Sequence, residues 1–168
     1  MKRGLFLIIP FLFSGCVPPL VPMQNAYDLA DIEPFIKSGN AQIRGNISHP
    51  EHGLMRDSSG QVVFLLPDIP FFRELFLKHV IGPKNIARTE MNAALSRPGV
   101  RIAIADKGFF SYNNLPDGQY LIFCDIGYWN RNKSQPDRMA YATVEVRDGE
   151  ALLGNSAMPG FVNLKYRY

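Results

Sequence analysis

The sequence predicts a mainly β protein, an antiparallel β-sandwich with one short inserted helix. The second half of the chain consists of short segments of alternating apolar and polar residues, separated by turns at regular spacing, which is typical of sandwiches. Residues 61–67, QVVFLLP, form an unbroken apolar run of strand length. The segment after that run has the apolar spacing of a short amphipathic helix.

The composition is that of one globular domain with an apolar core. Of the 168 residues, 46% are hydrophobic and 20% are charged, so wholesale disorder is not expected. The formal net charge of +3 includes Lys2 and Arg3, and the remaining basic and acidic residues nearly balance. We therefore expect no nucleic acid among the partners. No motif in the sequence requires a cofactor.

The first half of the chain contains two predicted strands and the predicted helix. Residues 41–48, AQIRGNIS, form the first strand, and residues 61–67 form a central strand buried on both faces. The helix follows, with Pro70 in its first turn and Gly82 after its end. Packing of its apolar stripe on the sheet is the simpler interpretation, and a partner surface is left open. The stripe contains Phe72, Leu75, Phe76 and His79.

Five further strands are predicted in the second half. In the first of them, Val100, Ile102 and Ile104 recur at every second position and share one apolar face. Pro116 and Gly118 provide a tight turn before the strand with the strongest pattern. The predicted segments are residues 100–105, 108–112, 119–129, 139–147 and 161–168.

The N-terminus has the three regions of a secretory signal. Lys2 and Arg3 are followed by the apolar residues 4–13, and then by the small residues Ser14 and Gly15. The apolar run is about half the length that a membrane-spanning helix needs, which is ~20 residues. We therefore expect a cleaved signal segment.

At residues 13–16, FSGC, this segment resembles a bacterial lipoprotein signal, whose lipobox ends in small residues and an obligatory cysteine. The resemblance implies that residues 1–15 are removed and that Cys16 carries the acyl chains that anchor the protein to the lipid bilayer. Because Val17 follows the cysteine, it also implies an outer-membrane location facing the periplasm. Residues 16–40 would then be tether and N-terminal arm, and residues 41–168 the sandwich.

The second cysteine, Cys124, is predicted to be a core residue. If Cys16 is lipidated, Cys124 has no partner within the chain for a disulfide. It shares an alternating strand face with Tyr120 and Ile122, where a cysteine behaves as a small hydrophobe.

Two segments resemble the prealbumin-like sandwiches, the transthyretin and carboxypeptidase-regulatory type of domain. The first is residues 45–75, and the second is residues 108–123, GFFSYNNLPDGQYLIF. The resemblance implies a sandwich that serves in binding, spacing or assembly, without catalysis. The matching residues are Gly45, Ile47, Val63, Leu65, Pro67, Gly108, Phe110, Tyr112, Leu115, Pro116, Gly118 and Tyr120.

Two polar segments are candidate sites. His49 and His52, in HPEH, could bind a metal, but a solvated loop is favoured and no metal is predicted. The loop Tyr128–Lys133 combines aromatic, amide and guanidinium groups that suit sugars, peptides or carboxylates. Its candidate ligand-binding residues are Tyr128, Trp129, Asn130 and Arg131.

The sequence contains none of the common hydrolase, metalloprotease or phosphate-binding motifs. The leading hypothesis is therefore a non-enzymatic envelope lipoprotein that binds or assembles with an envelope protein. The alternative is a lipoprotein that binds a small ligand or a carbohydrate at the Tyr128–Lys133 loop. A metal-dependent enzyme that uses His49 and His52 is a distant third.

Overall fold

The structure is a computed structural model that describes residues 22–49, 53–54, 59–81, 87–125, 139–152 and 161–167. Within these ranges the chain forms nine strands and three short α helices. The strands are β1 (Ala41–His49), β2 (Gly53–Leu54), β3 (Val62–Pro67), β4 (Arg101–Ile104), β5 (Phe109–Leu115), β6 (Gly118–Asp125), β7 (Met139–Arg147), β8 (Glu150–Leu152) and β9 (Phe161–Arg167). The helices are α1 (Leu29–Ile36), α2 (Pro70–Phe76) and α3 (Arg88–Leu95), and a π-helical turn, Leu77–Ile81, continues α2.

The strands form a sheet that curls back on itself to make a sandwich. Strands β4, β3, β6 and β7 lie side by side and pair antiparallel. Strand β9 pairs with β7 and also with β1, and β1 pairs in turn with β5. The layer β5-β1-β9 therefore faces the layer β4-β3-β6-β7, and the predicted mainly β sandwich is confirmed.

Two details of the architecture were not predicted. The β1–β9 pairing is parallel, whereas the other strand pairs among the described residues are antiparallel. The described chain also has three helices instead of one, because the segments before β1 and before β4 each form a helix of eight residues. Propensity is a weak guide for segments this short, since packing decides whether they become helical.

The first apolar core fills the space between the two strand layers. Alternate residues of facing strands supply it, as the period of a strand requires. The predicted core position of Cys124 is confirmed, because its side chain is fully buried there. The largest members of this first core include Tyr120, Tyr112, Phe110, Ile43, Ile47, Leu65, Leu115 and Ile122.

The second core lies between the outer face of the β4-β3-β6-β7 layer and the three helices. Phe72, Leu75 and Phe76 are almost completely buried in it, so the apolar stripe of α2 packs on the sheet and is not a free partner surface. Ile32 of α1 and Met91 of α3 complete this core. The molecule therefore has three layers: the helices, the β4-β3-β6-β7 sheet and the β5-β1-β9 sheet.

Strand β4 presents its two isoleucines to the outside, which differs from what the apolar pattern suggested. Ile102 is 59% exposed and Ile104 is 70% exposed, whereas Ala105 is buried. The interior opposite β4 already holds the rings of Phe110 and Tyr112. Because little room is left there, the small residues of β4 face inward and the large ones face outward.

The N-terminal residues 22–40 pack closely on the sandwich, and the boundary at residue 41 stays a prediction. Gly118, part of the predicted turn, allows this packing: its φ is +150°, and a Cβ would lie 2.4 Å from the Phe35 ring. Phe35 in turn makes an edge-to-face contact with Tyr120, with ring centroids 5.4 Å apart. In the part of the chain that the structure describes, no helix is long and apolar enough to cross a membrane.

Candidate functional site

The residues that the sequence singled out lie mostly outside the described ranges. Cys16 and the ligand-binding candidates Tyr128, Trp129, Asn130 and Arg131 all belong to this group. Lipidation at Cys16 and ligand binding at the Tyr128–Lys133 loop therefore stay predictions.

The HPEH segment is described only at its first residue. His49 is the last residue of β1, and His52 lies outside the described residues. Among the described residues, no three or more His, Cys, Asp or Glu side chains are grouped for a metal ion. The metal hypothesis for His49 and His52 therefore remains untested.

The environment of Cys124 is unsuited to a reactive thiol. Burial, with a smaller contribution from the nearby Asp125 carboxylate, raises the pKa of this thiol to about 12. A thiolate is the reactive form of cysteine, so this side chain is protonated near neutral pH. Cys124 therefore acts as a packing residue.

A cleft between β4 and β5 is the best-defined candidate site among the described residues. The two strands are joined by a tight turn in which Asp106 and Phe109 exchange backbone hydrogen bonds of 2.8 and 2.9 Å. Lys107 and Gly108, between them, both have positive φ, which is typical of a type I′ hairpin turn. Beyond the turn the strands separate into opposite layers, and a cleft opens between them.

The cleft has a volume of about 480 Å³, within the range of small-molecule sites. Strand β1 supplies part of its wall because it is the pairing partner of β5. The lining residues are Arg44, Gly45, Ala103, Ile104, Asp106, Phe109, Phe110 and Ser111.

The lining of the cleft combines apolar surface with three kinds of polar group. Arg44 and Ser111 are opposite each other in the β1–β5 register and are both exposed. Phe109 is 47% exposed at the mouth, and Asp106 adds a carboxylate. Arg44 adds a guanidinium to the lining.

Two contacts brace the strands on either side of the cleft. The Tyr112 hydroxyl of β5 donates to the Val63 carbonyl oxygen of β3 at 2.8 Å. The Arg101 guanidinium of β4 donates to the Asn113 carbonyl oxygen of β5 at 3.0 Å. Burial of Tyr112 raises the pKa of its hydroxyl well above the ordinary value, so it remains a donor. The cleft is therefore built on strands held at a fixed separation.

Sequence reasoning did not find this site. Its residues come from three strands, and their proximity depends on how the sheet curls. The sequence "DKGF" at residues 106–109 is the one local signal, because its glycine favours a tight turn and so places β4 beside β5.

The comparisons with known proteins support the fold. No protein-family model matches the chain, and no curated protein matches it. One solved structure with a similar fold is a protein from Pseudomonas aeruginosa, described as a candidate carbohydrate-binding protein. It is 15% identical, the match covers 83% of this chain and 97% of that one, and the TM-score is 0.56. This likeness shows that the fold of this chain also occurs in a solved structure.

Proposed function

We propose that this protein is a lipid-anchored, non-catalytic binding module of the bacterial cell envelope, and that it takes its partner at the β4–β5 cleft. The cleft carries the proposal. It is concave, it lies on braced strands, and it offers Arg44, Asp106 and Ser111 beside exposed apolar surface. Sites of this kind usually bind a ligand that matches both the apolar and the polar groups.

The anchor in this proposal is Cys16, acylated after removal of residues 1–15. The positive start, the apolar run and the small residues before the cysteine support it. With Val17 next, the proposed location is the outer membrane, with the domain in the periplasm. An anchored module in this compartment would bind another envelope component and hold it near the membrane.

A photocross-linking experiment on membranes tests the cleft. A benzophenone amino acid is placed at Ser111 in the cleft, and in a matched variant at Thr143, an exposed position on β7. The proposal predicts a defined cross-linked product from Ser111 that is lost when Arg44 is replaced by alanine. Equal products from the two positions would contradict it.

Carbohydrate is the second candidate ligand. Phe109 leaves 47% of its side chain exposed at the mouth of the cleft, and Arg44, Asp106 and Ser111 add polar groups that suit sugar hydroxyls. The similar Pseudomonas aeruginosa structure, described as a candidate carbohydrate-binding protein, supports it as well. The Tyr128–Lys133 loop remains the place where the sequence alone puts such a site.

A titration with soluble glycans, followed by NMR chemical shifts, separates the two places. Binding at the cleft would be weakened by Phe109→Ala and unaffected by Leu152→Ala, a matched change at an apolar side chain that is 42% exposed. Binding weakened only by Trp129→Ala would favour the loop. No shift with any glycan would remove the carbohydrate candidate.

A further inference from the structure

The residues just before α1 are tied to the helical layer by the carboxylate of Glu74. We call residues 22–28 the arm. The Gln24 and Asn25 backbone amides donate to the two carboxylate oxygens of Glu74 at 2.8 and 2.7 Å. The Asn25 side-chain amide adds a third bond of 2.7 Å, and Lys78 forms an ion pair with the same carboxylate.

The start of the arm is held in the same way. The Lys78 ammonium donates to the Pro22 carbonyl oxygen at 2.7 Å. The Met23 backbone amide donates to Glu90 of α3 at 3.2 Å. Tyr27 closes the arm, with its ring packed edge-to-face on Phe71 at 5.5 Å.

This attachment is strong because Glu74 is a buried charge. Its side chain is only 9% exposed. Burial alone would raise its pKa, but the bonds from Lys78, Asn25 and Gln24 outweigh that effect and lower the pKa to about 2. If the arm detached, the Glu74 carboxylate would lose three hydrogen-bond donors at once, and bonds to a charged group contribute more than neutral ones. Pro22 is therefore held at a fixed point on the helical layer.

The distance from that point to the proposed lipid anchor is short. Six peptide units join Cys16 to Pro22, and fully extended they span at most ~21 Å. A compact domain of this size has a radius of gyration of ~15 Å and hence a diameter of ~38 Å. The tether is shorter than the domain, so the domain cannot turn its far side to the membrane.

We infer that the helical layer faces the lipid bilayer, with lipid headgroups against the surface around Leu77 and Lys78 where the arm begins. Leu77 is 53% exposed beside Lys78, and its apolar side chain suits the headgroup boundary. The β5-β1-β9 layer points away from the membrane, so Arg44 and Ser111 face an incoming partner. This inference rests on the proposed acylation of Cys16.

The test uses the full-length acylated protein in vesicles of phosphatidylcholine and phosphatidylglycerol. A fluorophore is attached to a single new cysteine, at Leu77→Cys or, as the matched control, at Ser111→Cys on the far layer. Wild-type protein treated with the same fluorophore shows how much label attaches to the buried Cys124. The two sites are separated by two layers, ~20 Å. Energy transfer to headgroup-labelled lipid should be several-fold higher from position 77.

The outcomes separate this inference from the proposed function. Equal transfer from the two positions, or higher transfer from position 111, overturns the orientation while the protein still floats with vesicles and carries palmitate. A chain that neither floats nor incorporates palmitate overturns both the anchor and the orientation.

Release of the arm should remove the difference in energy transfer between labels at positions 77 and 111. Without the arm, thirteen peptide units separate Cys16 from Leu29, a reach of ~45 Å that exceeds the domain diameter. Glu74→Gln should therefore bring the two transfer values together, whereas Glu33→Gln, at an exposed ion pair with Lys37, should not. If Glu74→Gln does not fold, Lys78→Met replaces it. A folded variant that keeps the full difference would contradict the role of the arm.

Discussion

The Tyr112 hydroxyl on β5 donates a hydrogen bond to the Val63 carbonyl oxygen on β3, 2.8 Å away in the interior of the sandwich. The two strands belong to opposite layers, so this bond crosses the core beside the cleft. The Tyr112 side chain is almost completely buried, and no water is needed to satisfy its hydroxyl. The contact therefore helps to fix the separation of the layers where the candidate site lies.

Replacing this hydroxyl should lower stability measurably. Tyr112→Phe keeps the ring and removes the donor, so we expect a loss of ~1 kcal/mol in the free energy of unfolding. Tyr27→Phe is the matched control, because the bond from Tyr27 to the Pro98 carbonyl oxygen is exposed, and it should cost less than ~0.5 kcal/mol. Denaturant unfolding measures both. Equal losses in the two variants would show that the buried hydrogen bond contributes no more stability than the exposed one.

Glu74 should make stability depend on pH in the acidic range. Its pKa is about 2 in the folded protein, below the ordinary value of 4.5. A group with a lowered folded pKa contributes stability that is complete above its unfolded pKa and is lost as the pH falls toward the folded value. Wild type should therefore lose stability between about pH 4.5 and pH 2.

The variant Glu74→Gln isolates this effect. Its stability should be lower than that of wild type at neutral pH, and the two should converge as the pH approaches 2. Thermal unfolding across the acidic range gives the comparison. Parallel curves for the two proteins would mean that another carboxylate carries the acid dependence.

The outward position of the β4 isoleucines leads to a third prediction. Ile104→Ala should change the free energy of unfolding by less than ~0.5 kcal/mol, as surface substitutions usually do. Ile43→Ala, at a fully buried position in β1, should cost ~2 to 5 kcal/mol because it leaves a cavity. Chemical denaturation distinguishes these values. A large loss from Ile104→Ala would place that side chain in the core.

Gly118 should be the more sensitive of two glycines with positive φ. A Cβ at Gly118 would clash with the Phe35 ring, whereas a Cβ at Gly60 would meet nothing within 4 Å. Gly60→Ala should cost only the backbone strain, ~1 to 2 kcal/mol, and Gly118→Ala should cost ~1 to 3 kcal/mol more because of overpacking. Similar melting temperatures for the two variants would contradict the close packing of Phe35.

The sequence predicted which residues of one strand share a face, but it did not predict which way that face points when distant residues decide it. Alternation correctly placed Tyr120, Ile122 and Cys124 on one buried face of β6. The same alternation in β4 identified one apolar face but could not say that Ile102 and Ile104 point outward. That choice depends on Phe110 and Tyr112, which come later in the chain and occupy the interior.

The candidate cleft and the attachment of residues 22–28 to Glu74 were missed for the same reason. The cleft needs β1, β4 and β5 to meet, and the arm needs Glu74 to meet Asn25, 49 residues earlier. Neither pairing leaves a periodic pattern in the sequence. The parallel β1–β9 pairing is likewise a property of how the sheet curls, because strand patterns do not reveal their neighbours.

Acylation of Cys16 is the measurement that tests the central claim most directly. Cells that express wild type or Cys16→Ser are labelled with radioactive palmitate, and their membranes are separated by flotation. The account predicts that wild type carries the label and floats with the membranes, and that Cys16→Ser does neither. A Cys16→Ser protein that still incorporates palmitate and floats would contradict the lipid anchor.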